Sequence, residues 1–352
     1  MQCRERTAFV ASLSRATRMT LHRNVHAMRS SRHAKEPPMT RIRSLRAIAA
    51  LTALAVILPA IAQSDAARPA PRRVERLHRV MTSDLDDGAD SAKSARSAPA
   101  GTRVIPDIPY GPDPAQRFDV YVSTRPASTT RPAPVILFVH GGAWAFGDKA
   151  DRQVIEPKIA HWVDQGYVVI STNYRMLPTP VAQQADDVAA AVAFAQSQAG
   201  LWGGDPKRFI LMGHSAGAHL AALVGAGART AVKPQPLRGT VLLDSAALDV
   251  PAIMNNRHFG LYDRAFGSDP RRWAAVSPLA QLTRGTAPML AVCSSRRKES
   301  CPTSSRFAAR ANGLGGKVRV LREDLSHAEI NATLGAPSDY TKQVDAFLRS
   351  VR

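Results

Sequence analysis

The chain is poor in cysteine, has no long unbroken apolar run and carries far fewer acidic than basic side chains, and each shortage narrows what it can be. Three cysteines in 352 residues, Cys3, Cys293 and Cys301, are too few and too badly spaced for a disulfide-stapled mini-fold or a four-ligand zinc site. The longest apolar stretch, Ala47 to Leu58, falls short of the roughly 17–25 residues that cross a bilayer as a helix. With 47 Lys and Arg against 28 Asp and Glu the formal charge is +19, a balance that would suit nucleic acid or an anionic surface if it were concentrated. It is not: there is no long run of basic residues, no stripe of basic and aromatic side chains, and no zinc-finger spacing, so nucleic acid is not an expected partner. What is present, 45% hydrophobic and 21% charged residues, is an ordinary globular composition with enough chain for a substantial core.

Much of the charge excess is N-terminal. Residues 1–62 hold 11 Lys and Arg against Glu5 and Glu36, and without them the chain has 36 basic and 26 acidic residues, a net of +10. Within that segment, residues 39–62 read as a secretory signal peptide: Arg41, Arg43 and Arg46 form a basic flank, Ala47 to Leu58 the apolar stretch, and Ala60-Ile61-Ala62 a small-residue cleavage site. Export to a periplasmic or extracellular space after cleavage near Ala62 is therefore expected, with no stable membrane insertion. A signal peptide should open the chain, so residues 1–38 read as a misassigned N-terminal extension and Met39 as the start. Residues 63–100, rich in Ala, Ser, Arg, Asp and Pro without periodicity, read as a disordered linker.

From residue 101 to 352 the pattern changes to short β-rich runs separated by helical segments. Strands are predicted around Val120–Ser123, Pro134–Val139, Tyr167–Thr172, Arg208–Met212, Gly239–Leu243, Pro288–Val292 and Val318–Leu321. Helices are predicted over Asp151–Gln165, Ala182–Gln198, Ala216–Ala226, Thr303–Ala311 and Tyr340–Val351. Apolar runs of strand length alternating with helices specify an α/β domain, a mainly parallel sheet covered on both faces, with functional loops at the carboxyl ends of the strands. Pro251 to Leu282, with Met254, Phe259, Tyr262, Phe266 and Trp273, lies between two strands and reads either as a small cap over the site or as core packing.

Two motifs carry chemistry. Gly213-His-Ser215-Ala-Gly217 joins a predicted buried strand to a predicted helix, the context in which G-x-S-x-G presents a nucleophilic serine on a tight turn. His140-Gly-Gly142-Ala143-Trp144 follows an earlier strand, where glycine-rich backbone brings amides close to a developing oxyanion. Gly142, Ala143 and Ala216 are the expected oxyanion donors.

A serine nucleophile needs a base, and His327 in Leu325-Ser-His-Ala follows the last strand, the position that the chain order Ser, acid, His requires. The acid is expected just after the strand ending at Val292, where Glu299 is the only carboxylate before Cys301. Asp244, at the end of the preceding strand, is its rival and Asp249 a weaker one. Cys293 and Cys301 bracket that loop, and in an exported protein the pair is expected to form a disulfide, the alternative being two buried thiols.

His140-Gly-Gly-Ala-Trp, Gly213-His-Ser-Ala-Gly-Ala-His-Leu220 and Asp324-Leu-Ser-His327 together resemble the α/β-hydrolase superfamily, in particular the carboxylesterase branch related to hormone-sensitive lipase and to bifunctional feruloyl and acetyl esterases. Kynurenine formamidases look similar in the same two glycine motifs. The resemblance runs over about residues 104–352 and includes Asn173-Tyr-Arg175 and Gly203-Gly-Asp205-Pro206, read as fold and turn residues together with Asp119. It implies an α/β-hydrolase fold, a triad of Ser215, His327 and the acid, and neither cofactor nor metal. Many relatives carry a glycine and an aspartate after the strand that here leads into Ser294–Glu299, so the acid is where this chain departs. The expected activity is hydrolysis of small carboxylic esters through an acyl-enzyme. A formamidase-type amidohydrolase and an inactive hydrolase-fold binding protein are the alternatives. Acyl length, alcohol portion and oligomeric state are not written in these motifs.

Overall fold

The structure is a computed structural model that describes residues 98–125 and 131–352. The expectations for the leader, the signal peptide and the linker up to residue 97 lie outside the described residues. Eight strands form one sheet in the order β1-β2-β4-β3-β5-β6-β7-β8. They are β1 Thr102–Pro109, β2 Arg117–Ser123, β3 Ala133–Val139, β4 Val168–Thr172, β5 Gly204–His214, β6 Gly239–Leu243, β7 Met289–Ser294 and β8 Val318–Glu323. The β1/β2 and β2/β4 pairings are antiparallel and the other five parallel, which matches the mainly parallel α/β reading. The strand that the sequence did not announce is β1: Pro106 and Pro109 interrupt its alternation, which an edge strand tolerates because one side of its backbone has no ladder to complete.

The continuous apolar strands are explained by the two layers they face. Along β3, Val135, Leu137 and Val139 belong to one core cluster and Ile136 and Phe138 to the other; along β5, Phe209 and Leu211 alternate with Ile210 and Met212 in the same way. Successive side chains point to opposite faces, so a strand covered on both sides has no polar positions to spare. Helices α1 (Arg152–Asp164) and α10 (Asp339–Ser350) cover one face, and α2 (Val181–Gln198), α3 (Ala216–Ala226) and α8 (Ser300–Gly313) the other. Between β6 and β7 the chain makes four short helices, α4 Val250–Met254, α5 Gly260–Phe266, α6 Pro270–Trp273 and α7 Pro278–Gln281. Met254, Phe266 and Trp273 of this insert are buried in the core, whereas Phe259, Leu261 and Tyr262 line the cavity that also contains Ser215 and His327, so the segment is core packing and cap at once. Among the described residues no helix is long and apolar enough to cross a membrane.

One core residue breaks the apolar rule. Lys158 on α1 is fully buried, and its ammonium donates to the carbonyl oxygens of Val154 and Asn331 and sits 5.2 Å from the Phe138 ring centroid. Asn331 lies in the last turn of the short helix α9 (His327–Ala332), so Lys158 ties the first helix to the one that begins at His327. Burial pulls its pKa down to about 7, against a smaller upward pull from Asp151. Between pH 7 and the ordinary lysine range the unfolded chain then binds one more proton than the folded one, and stability rises with pH across that window. Urea unfolding at pH 7 and pH 9.5 is expected to give a larger stability gain on alkalinisation for the native protein than for Lys158→Met; equal gains would contradict the assignment.

Candidate active site

Ser215 sits between β5 and α3 with φ 53° and ψ −116°, a conformation an L-residue holds only when its surroundings impose it. They do. Its amide donates to the Leu243 carbonyl at 2.9 Å, extending the β5/β6 ladder by one bond, while its own carbonyl accepts from His219 as α3 begins. The turn closes because residues 213 and 217 lack side chains: a Cβ on Gly213 would lie 2.4 Å from the Gly217 carbonyl oxygen, and one on Gly217 2.2 Å from that of Val139. The tight turn lifts the serine hydroxyl out of the sheet at the carboxyl ends of the strands and puts the amino end of α3 behind it.

The loop after β3 is strained in the same manner, with positive φ at Gly142, Ala143 and Trp144. Trp144 anchors it: the buried indole Nε1 donates to His219 Nδ1 at 3.2 Å, and His219 Nε2 donates to the Val276 carbonyl at 2.7 Å. One fully buried imidazole thus joins the glycine loop, α3 and the cap, and burial lowers its pKa to about 4, which keeps it neutral and able to accept from the indole. Gly142, Ala143 and Ala216 all line the cavity that holds Ser215 and His327, a space of ≈ 220 Å³.

His327 is the first residue of α9, where a capping box fixes it: Ser326 Oγ accepts from the Glu329 amide at 3.2 Å, and Glu329 accepts from the Ser326 amide at 2.7 Å. Its ring lies 4.4 Å, centroid to centroid, from that of His214, whose Nε2 donates to the His327 carbonyl at 3.0 Å.

The acid expectation is corrected here. His327 Nδ1 is 2.6 Å from Asp244 Oδ2, whereas Glu299 is exposed and caps α8 without a side-chain bond to it. The reason is register. β6 and β7 are neighbours with Leu243 opposite Val292, so residue 244 leaves its strand beside residues 293 and 294, at the height of the imidazole. Glu299 lies a further turn along the loop. Asp244 is fully buried and has four side-chain partners: Oδ1 accepts from the Ser294 amide at 2.8 Å and from Ser300 Oγ, and Oδ2 from His327 and from Arg297 Nη1 at 2.7 Å. Burial pushes its pKa up, but the His327 bond, the Arg297 charge and the Ser300 hydroxyl outweigh that and leave it well below the usual carboxylate range. An ionised carboxylate only accepts, so the shared proton is on His327 Nδ1 and the Nε2 lone pair is free. Ser300, although close to this pair, is buried against Asp244 and does not reach the cavity; its hydroxyl supports the acid.

Cys293 and Cys301 are joined by a disulfide. Asp119, Asn173, Arg175 and Asp205 hold the fold, as expected: buried Asp119 accepts from Lys149 Nζ at 2.7 Å, the Asn173 amide group accepts from the Lys149 backbone, Arg175 binds Asp187, and Asp205 caps a turn at Lys207. Two contributors went unread in the sequence. Arg297 looks no different there from Arg296 and Lys298, and nothing marks Lys158 as buried except its place in the periodicity of α1. Among the described residues no cluster of His, Cys, Asp and Glu is suited to a metal ion.

The strand order, the serine at a positive φ between β5 and α3 and the imidazole after β8 define the α/β-hydrolase fold. Residues 118–263 match the BD-FAE family model. The esterase LipC of Mycobacterium tuberculosis is 31% identical over 53% of this chain and 49% of its own length. A rice protein described as a probable isoprenylcysteine alpha-carbonyl methylesterase is 36% identical over 34% of this chain and 28% of its own. The matched part thus spans half or less of these relatives' lengths. Among solved structures, esterase B of Lactobacillus rhamnosus superposes with a TM-score of 0.61 at 17% identity, covering 80% of this chain and 93% of that one, a likeness of fold.

The two carboxylates separate by substitution. Asp244→Asn is expected to lower ester turnover by about 10⁴-fold by disturbing the tautomer and charge that the base needs, while Glu299→Gln stays within about twofold. Steady-state kinetics on one nitrophenyl ester measures both, and the reverse ranking would restore Glu299 as the acid.

Proposed function

We propose that the protein is a serine carboxylesterase that hydrolyses small carboxylic esters through an acyl-enzyme, with Ser215 as nucleophile, His327 as general base and acid, and Asp244 as the acid that orients the imidazole. The observation that carries this reading is the 2.6 Å bond from His327 to a buried, ionised Asp244 in the cavity that also contains Ser215 at its strained turn. Ser215 Oγ attacks the acyl carbon as its proton passes to His327 Nε2. The carbonyl electron pair moves onto oxygen, where the amides of Gly142, Ala143 and Ala216 receive it. The carbonyl re-forms, the bond to the alcohol oxygen breaks, and that oxygen takes the proton from Nε2. Water then gives its proton to Nε2 and attacks the acyl carbon, and collapse returns the proton to Ser215 as the carboxylic acid leaves.

A cavity of ≈ 220 Å³ lies below the usual range of drug-sized sites, which favours a short acyl group inside it. The exposed aromatic rings of Phe146 and Phe259 at its edge leave room for a larger portion outside. The disulfide supports export, since such bonds persist in oxidising compartments. Cleavage near Ala62 remains part of the same proposal.

The test is labelling and turnover together. The purified protein is expected to take up a fluorophosphonate probe on the peptide containing Ser215, and to hydrolyse acetyl and butyryl nitrophenyl esters faster than N-formylkynurenine. Ser215→Ala should abolish labelling and lower turnover by at least about 10⁴-fold. Labelling without ester turnover, or faster cleavage of the formamide, would favour the amidohydrolase; neither labelling nor turnover would leave a binding protein.

A further inference from the structure

The loop between β7 and α8 delivers a cation to the place where the acid was expected. Arg297 turns inward, its Nη1 lying 2.7 Å from Asp244 Oδ2, 3.1 Å from the Asp244 carbonyl oxygen and 2.9 Å from His327 Nδ1, and the side chain forms part of the cavity wall. Its position is set by several bonds in the same loop. Ser294 Oγ donates to the Leu325 carbonyl at 2.6 Å, Arg296 pairs with Asp324 at 3.0 Å and Glu329 at 3.1 Å, and the Cys293–Cys301 disulfide closes the loop at its ends. Arginine and imidazole therefore share one carboxylate oxygen.

That sharing has a consequence for catalysis. A carboxylate beside an imidazole favours a second proton on the ring, and a doubly protonated ring cannot act as base. A guanidinium, charged at every working pH, opposes that proton when it lies against the same ring nitrogen. We propose that Arg297 is a positioning residue for the esterase reaction, holding Asp244 by its side chain while its charge keeps His327 competent as a base further into the acid range than the Asp–His pair alone would. The proposal rests on the esterase reading.

The other groups around His327 do not supply this effect. His214, tilted against it from β5, is kept neutral by burial and by His327 itself. Lys158 on α1 reaches the far end of α9 at Asn331. Arg296 is matched by Asp324 and Glu329 beside the capping box, and Tyr262 of the cap, its pKa raised by burial, is uncharged. Among the described residues Arg297 is the cation that lies against the ring; its Nη1 faces a nitrogen that carries its own proton, so the contact acts through charge and not as a hydrogen bond.

The experiment is the pH dependence of kcat/KM, from pH 4.5 to 9, for the intact protein and for Arg297→Gln, Arg297→Met and Arg297→Lys, each checked by thermal unfolding. With the charge removed, the low-pH edge of the profile is expected to move upward by about one pH unit or somewhat less. Arg297→Lys, which keeps the charge, should stay closer to the native edge than either neutral variant. If one neutral variant fails to fold the other carries the comparison. A purely structural role would lower the plateau of all three while leaving the edge in place, and that result would overturn the proposal. Unsubstituted protein with neither ester turnover nor fluorophosphonate labelling would overturn this proposal and the esterase reading together; an active protein whose edge ignores the charge at 297 overturns this one alone.

Discussion

A carboxylate with no exposed surface is the constraint around which the site is organised. Taking Asp244 out of water while keeping it ionised is costly unless every lone pair is met. Here the side chain has four partners, two of them charge-assisted or able to become so, and three of the four come from the short stretch that runs from the last residue of β7 to the first of α8. The backbone cooperates: Asp244 has φ 54° and its amide donates to the Val292 carbonyl, so the residue turns out of β6 without leaving the sheet's edge unpaired. An imidazole bound to such a group has one tautomer available, the one whose Nε2 lone pair is exposed to the cavity. The chemistry assigned to Ser215 depends on that choice of tautomer.

The serine turn and the glycine loop after β3 are built by a different means, close packing of backbone. The starts of α3 and of the loop after β3 crowd the same space, and glycine at 217 lets the helix come within contact of the end of β3. Three successive positive φ values after Gly141 hold the other wall. His219 then ties the two walls and the cap through bonds to Trp144 and Val276. Strain at these positions is offset by the core beneath them, where β3 from Pro134 to Val139 and β5 from Phe209 to His214 are buried on both faces.

The architecture and half of the site could be read from the residues because they are written locally. Buried strands are unbroken apolar runs, and a nucleophile turn requires its glycines within two positions of the serine, so neither depends on distant partners. The disulfide was accessible for the same reason, two cysteines bracketing one loop. The acid was not, because its identity is a matter of register between β6 and β7, which the sequence does not display. A search confined to the loop after β7 finds Glu299 by elimination, whereas Asp244 had a local mark, a carboxylate directly after five buried strand residues. Arg297 had none: its role comes from the direction in which a closed loop points one of three adjacent basic side chains.

Placing the acid on β6 also alters how the cap relates to the chemistry. The cap insert begins with Ser245, Ala246 and Ala247, which line the cavity immediately after the acid, so a displacement of α4 and α5 by a bound substrate would have only a few residues to cross before it reached Asp244. An acid on the loop after β7 would be separated from that motion by a whole strand. The bonds from Ser294, Ser300 and Arg297 resist it, since they hold the carboxylate from the β7 side, and the disulfide limits how far that loop can follow. Cap adjustment and base orientation can then be independent even though the two segments are consecutive in the chain, because the carboxylate is anchored to the neighbouring strand's loop more than to the cap that follows it.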